Sequence, residues 1–319
     1  MKLKEIYRKA VEIGINNDLR PKEEIQKILE EEKAKFEKLS SEEKEFFDED
    51  KLFNPYADTR ILNGDPDTEV RRIIVGIDME IGEILLTYLL NQKEENKVDL
   101  IISHHPEGMA LAQLYQVMKL QSDILAQYGV TLSVAEQLME KRISEVERRL
   151  LSLNHIRHTE AARLLGLPMM CIHTPADNCV TNYLNKLFEK EKPYRLKDLL
   201  EILKNIPEYR IFQKYQIFPK IVNGSENNKC GKIYVDMTGG TEGSKEIFDQ
   251  LATSGISTLV GMHYSEEHIK QAKKANVNVV IAGHIPSDVL GLNLLFDEIE
   301  KEELFDFVEI SGFRRIRHQ

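Results

Sequence analysis

The sequence predicts an α/β fold of two successive lobes with an additional helical N-terminal extension. Two observations carry this reading. Between residues 71 and 310, apolar runs of strand length alternate with stretches of helical periodicity. Three of those runs end in histidine or carboxylate clusters. Such alternation builds a mainly parallel sheet, and the carboxyl edge of such a sheet is where ligands bind.

The 319 residues are 42% hydrophobic, enough to fill one large or two medium cores. The formal net charge of −10 repels phosphate backbones, so nucleic acid is not the expected partner. No window approaches the roughly 18 uncharged apolar residues of a membrane span. The opening MKLKEIYRKAVEIG carries acids and lacks an apolar stretch, so no signal peptide is expected. Cys171, Cys179 and Cys230 form an odd set without a CxxC pair, which points to a reducing cytoplasm.

Residues 1–53 hold 12 basic and 15 acidic side chains. Leu3, Ile6, Tyr7, Ala10 and Val11 recur at helical spacing, and Pro21 suits the first turn of a second helix that Ile25, Ile28, Leu29, Phe36 and Leu39 continue. This extension reads as a solvated helical hairpin with a packing role. Residues 53–66 (FNPYADTRILNGDP) have turn chemistry and join it to the main body. Next come a strand at 71–77, a helix at 81–90, a strand at 98–103 and helices at 109–127 and 134–152. A short strand is expected at 130–134, a helix at 161–165 and a strand at 169–173. The second alternation has a helix at 196–204, strands at 232–236, 258–260 and 277–282, helices near 244–253, at 266–275 and at 288–301, and a closing run at 305–310.

The chemistry sits at three strand ends. IISHHP supplies His104 and His105, HTPAD supplies His173 and Asp177, and GHIPSD supplies His284 and Asp288. Pro106 biases His105 toward an extended backbone, so both rings project from a constrained turn. Asp177 and Asp288 are also suited to capping the helices that follow. Imidazole and carboxylate together suit zinc, iron, manganese, cobalt or nickel. Five ligands exceed the three that one catalytic zinc takes, whereas two ions sharing a carboxylate would use all five.

At these residues the sequence resembles the Nif-three-like family, also called GTP cyclohydrolase type-two homologues. The resemblance rests on DLIISHHP (99–106), HTPADN (173–178) and AGHIPSD (282–288), with GIDM (76–79) and VDMTGGTEG (235–243), and runs from about residue 54 to 310. It implies two similar intertwined α/β lobes, a dinuclear metal centre holding two divalent ions per chain, and a homohexameric ring. Residue by residue, it makes His104, His105, Asp177, His284 and Asp288 the metal ligands, the last bridging both ions. Asp288 departs from the family's usual glutamate. Met262 stands where members often have glutamate, and His263 beside it lines the cavity. The implied divisions are a helical extension (1–53), a first lobe (54–185), a second lobe (186–283), and a segment completing site and sheet (284–319).

Other candidates have plainer readings. DMTGGTEGSK (236–245) follows a strand as a phosphate loop would, but it lacks the order GxxxxGK[ST]. Its glycines then serve close chain approach, and Glu242 faces the cavity. His155 and His158 read as solvated or capping residues. His173 is suited to orienting the site from behind its ligands, as is Asp78 through a ligand histidine, and Cys171 fills the core. The expected function is a metal-dependent hydrolase of a small-molecule or nucleotide-like substrate, with no side chain identified as the catalytic base. The alternative is a non-enzymatic metal-binding assembly or adaptor protein, the charged N-terminal helices presenting its surfaces. A purely structural protein would require all three strand-end motifs to be coincidence.

Overall fold

The computed structural model describes residues 1–93, 95 and 97–318. The chain opens with α1 (Leu3–Asn17), α2 (Lys22–Lys38) and α3 (Ser41–Glu45). The first alternation is β1 (Arg60–Asn63), β2 (Arg72–Gly76), α4 (Ile81–Lys93) and β3 (Leu100–Ser103). Five helices follow: α5 (Gly108–Ala112), α6 (Leu114–Val117), α7 (Leu120–Gln127), α8 (Leu132–Leu150) and α9 (Arg157–Leu164). Then come β4 (Met169–Cys171), α10 (Thr174–Glu191), α11 (Leu196–Asn205) and α12 (Pro207–Phe212). The second alternation is β5 (Lys220–Asn223), β6 (Lys232–Asp236), α13 (Phe248–Thr253), β7 (Ile256–Gly261), α14 (Glu266–Lys274), β8 (Asn278–Ile281), α15 (His284–Ile299) and β9 (Asp306–Glu309).

Two sheets result, ordered β1-β4-β3-β2-β9 and β5-β8-β7-β6. Each has an antiparallel edge strand followed by three parallel strands, so the second repeats the first, to which β9 adds a parallel edge. The two edge strands even end alike. Asn63 donates to Leu167 O at 2.7 Å and Asn223 donates to Val277 O at 2.6 Å.

Strand alternation assigns the layers. Ile73, Val75, Leu100, Ile102 and Met170 face one core with α1 and α15, while Ile74, Ile101 and Met169 face another with α4 and α9. In the second sheet Tyr234, Leu259 and Val279 pack against α6–α8, whereas Val235, Val260 and Val280 pack against α10 and α11. Helices α10 and α15 therefore lie between the two sheets and bury apolar residues against both. Their mutual approach is set by Gly291, where a Cβ would lie 2.4 Å from Ala176 O. Helices α6–α8 follow a strand of the first sheet yet pack on the second, so the two lobes are intertwined.

The extension is helical as expected, but its first helix is core. Leu3, Ile6 and Ala10 are fully buried. Gly14 packs against Pro175, and Asn178 donates to Gly14 O at 3.2 Å, so α1 braces α10. The single helix expected at 109–127 is instead α5, α6 and α7, because the chain turns at Gln113 and Met118 as it crosses between sheets. No strand forms at 130–134. Val130 finds no strand partner and packs in the core of the second sheet, and α8 has begun by Leu132. The strand expected at 169–173 stops at Cys171, because Thr174 and Pro175 already begin α10.

Candidate metal centre

All five sequence-derived ligands come from the carboxyl ends of strands and meet at one cleft. The HHP turn is fixed by the backbone: His104 N donates to Gly76 O at 3.0 Å and His105 N to Ile77 O at 2.9 Å. Asp177 sits in the first turn of α10, and Asp288 follows the first turn of α15. His284 opens α15 after Gly283, whose φ of 115° turns the chain sharply out of β8.

The side chains converge on their polar atoms. His104 Nε2 is 3.5 Å from both Asp177 Oδ1 and Asp288 Oδ1. Asp288 Oδ2 is 3.6 Å from His105 Nε2 and 3.6 Å from His284 Nε2, and those two nitrogens are 3.3 Å apart. Such spacings suit ligands at about 2.1 Å from a shared ion. His104 Nε2, Asp177 Oδ1 and both Asp288 oxygens are buried without a hydrogen-bond partner. Polar groups orphaned in this way are rare and costly.

The outward nitrogens are held from behind. His104 Nδ1 lies 2.9 Å from Ile172 O, and His105 Nδ1 lies 2.6 Å from Asp78 Oδ1. The Asp78 expectation therefore holds. His173 Nδ1 lies 2.8 Å from Asp58 Oδ2. Each contact fixes a tautomer that turns Nε2 toward the cleft.

Electrostatics differ sharply between the members. Burial pushes the His284 pKa down to about 4. His105 goes the other way: burial opposes its charge, but Asp288 and Asp78 prevail and push it up to about 10. Burial drives Asp177 well above the usual carboxylate range. Burial also opposes ionisation of Asp288, yet the His104, His105 and His284 rings hold it far below that range. Two buried carboxylates this close call for a cation.

Sequence reasoning understated His173. Its Nε2 lies 3.7 Å from Asp177 Oδ2, and His104, His173 and Asp177 can jointly reach one ion, as can His104, His105 and Asp288. A signal existed in the chain. HTPAD (173–177) and HIPSD (284–288) share the pattern His-x-Pro-x-Asp, at the matching ends of β4 and β8.

The remaining candidates fall outside this cluster. His155 is half-buried and contacts Leu153 O, and His158 pairs with Glu107 rather than capping a helix. In the glycine loop a Cβ on Gly239 would meet Gln121 and one on Gly240 would meet Val117, so the glycines do serve close approach. Glu242 and His263 line the cleft beside His284, as expected, and Met262 lines it too. Space for water-sized molecules there amounts to about 60 Å³.

A crystal structure of a NIF3 superfamily protein from Sphaerobacter thermophilus matches with a TM-score of 0.70 and 25% identity, over 81% of this chain and 92% of that one. The chain has a NIF3-like fold. Reduced HcgD from Methanocaldococcus jannaschii matches this NIF3-like chain at a TM-score of 0.46 and 16% identity, covering 78% of it and 87% of HcgD. A crystal structure of TTHA1606 from Thermus thermophilus matches at 0.45 and 13% identity, covering 81% and 90%. No family model and no curated protein matches the NIF3-like chain. Among its described residues no helix is long and apolar enough to cross a membrane.

Proposed function

We propose that this NIF3-like protein holds two divalent ions in the cleft and hydrolyses a small-molecule substrate there. One observation carries the reading: four buried polar atoms, on His104, Asp177 and Asp288, converge with no protein partner. The donor set fits borderline ions such as zinc, iron, manganese, cobalt or nickel. Asp288 supports a bridging role despite its short arm, because Oδ1 faces His104 while Oδ2 faces His105 and His284. On this reading His105, His284 and Asp288 would hold one ion, and His104, Asp177 and Asp288 would hold the other, with His173 beside them.

When bound, the ions would acidify a water and polarise the scissile bond. The chain's own part is positional. Asp78, Asp58 and the Ile172 carbonyl lock the ligand rings, and α10 and α15, packed at Gly291, fix the spacing of the two carboxylates. The test is turnover on a panel of phosphoesters and cyclic amides after metal loading. The reading predicts metal-dependent hydrolysis that disappears in Asp177→Asn while the fold is retained. Metal-loaded protein inactive across the panel would favour an assembly protein instead.

The homo-oligomer, with six chains as its expected size, is likewise a proposal. The exposed stripe Ile81, Leu85, Leu86 and Leu89 on α4 supports self-association. A cytoplasmic location is proposed from three buried, unpaired cysteines.

A further inference from the structure

Residues 313–318 form neither helix nor strand, yet the second half of α15 holds them along its length. Asn293 donates to Arg314 O at 3.0 Å, and its Oδ1 accepts from Ile316 N at 3.2 Å. The side chain of Arg315 is buried and pairs with both Asp297 and Glu300, and Arg317 pairs with Glu300 as well. His318 N donates to Asp297 Oδ2 at 2.9 Å. Arginine keeps its charge at every pH near neutrality, so its pairs do not respond to protons.

The contact beyond them does. His318 Nε2 lies 2.8 Å from Glu208 Oε1. Glu208 stands in the first turn of α12 and is fully buried. Its Oε1 also accepts from Asn293 Nδ2 at 2.8 Å, and its Oε2 is buried without a hydrogen-bond partner. Among the described residues His318 is the only basic group paired with this carboxylate. A buried carboxylate is costly unless a cation meets it. The other titratable or charged groups facing His318 are Asp297 of α15, Arg315 of its own segment and Tyr183 of α10, whose ring centroid is 6.0 Å away. Arg315 already pairs with Asp297 and Glu300. The bond to Glu208 therefore prevails over burial and pulls the ring's pKa upward.

We infer that residues 313–318 are a proton-closed strap: the imidazolium of His318 clamps the buried Glu208 carboxylate, and loss of its proton loosens the segment from α12 and α15. The proton's contribution is complete below the ordinary histidine value of 6.5 and is lost as pH rises through the raised one. A neutral ring still donates, but such a bond is roughly half as strong as a charge-assisted one, and the carboxylate is left without a cation. The arginine pairs remain, so the strap slackens rather than departs. Its anchor is joined to the metal-ligand end of α15 from the side: Tyr209, next to Glu208, lies 2.7 Å from Ser287 Oγ, one residue before Asp288. The strap needs no ion in the cleft.

The test is amide exchange of the full chain after millisecond labelling, read by mass spectrometry over residues 313–318 and normalised to unstructured rates at each pH. Wild type should lose about tenfold in protection there between about pH 6 and about pH 9, the margin of a charge-assisted bond over a neutral one. Protection of β7 should not follow it. His318→Gln, which keeps a donor but takes no charge, should show the weaker protection at both pH values. Glu208→Gln should do the same. Should that buried replacement fail to fold, His318→Gln decides alone, because the His318 side chain reaches the surface. Equal wild-type protection at the two pH values would overturn the inference. A His318→Gln protein that kept the pH dependence would overturn it too, since another group would then be the switch.

Discussion

Asp288 is the residue through which the ligand cluster is joined. One oxygen faces His104, the other faces His105 and His284, and neither has a hydrogen-bond partner. Replacing it with asparagine keeps the shape but leaves one oxygen and no charge. Asp288→Asn should lower bound metal from about two ions per chain to about one or none, read by elemental analysis of folded protein. His105 sets a pH dependence. In the metal-free protein its pKa is pushed from 6.5 up to about 10, so its proton stabilises the fold fully below pH 6.5. That contribution fades as pH rises through about 10. A metal ion must displace this proton, so affinity should climb by about tenfold per pH unit from neutrality and level off near 10. Affinity that stays flat between about pH 7 and pH 9 would contradict the assignment of His105 as a ligand. The five proposed ligands were legible because each follows an apolar strand. His173 was harder to place. A histidine four residues before an aspartate reads equally as a helix N-terminus, and only the repeated His-x-Pro-x-Asp pattern separates the two.

At the scale of elements, α1 and the α10–α15 crossing hold the site in place. The helix α1 looks solvated because its exposed faces carry many charges, yet Leu3, Ile6 and Ala10 are fully buried. Periodicity showed the stripe, but a charged composition gives no sign of what the stripe packs against. Ile6→Ala should cost about 2–4 kcal/mol in denaturant unfolding, where a decorative helix would cost almost nothing. Gly291→Ala forces a Cβ to within 2.4 Å of Ala176 O, against backbone that cannot swing aside. It should destabilise the fold by about 1–3 kcal/mol and weaken metal binding, because it separates the helices carrying Asp177 and Asp288. Strands β2, β3, β6 and β8 were readable as apolar runs of parallel, doubly covered sheet. Strands β1 and β5 were not. They are four-residue antiparallel edges with one face half exposed, and RILN and KIVN resemble the turns around them.

For the whole molecule, the site lies where the two sheets meet. His104, His105 and Asp177 follow strands of the first sheet, while His284 and Asp288 follow β8 of the second. Ions held there would tie both halves together. Chelation should then lower the melting temperature in a metal-dependent way, and calorimetry should show the loss reversed on adding the ion back. The α/β class was plain in the chain because alternation of strand and helix is a local pattern. The intertwining came only through the family resemblance, because nothing local tells α6–α8 to pack on the second sheet rather than on the first. The most direct measurement of the central claim is the metal content of untagged protein after supplementation with zinc, iron and manganese. The account predicts about two ions per chain, lost together in the double variant His104→Ala/His105→Ala. Less than about a tenth of an ion per chain, or a double variant that keeps its metal, would contradict it.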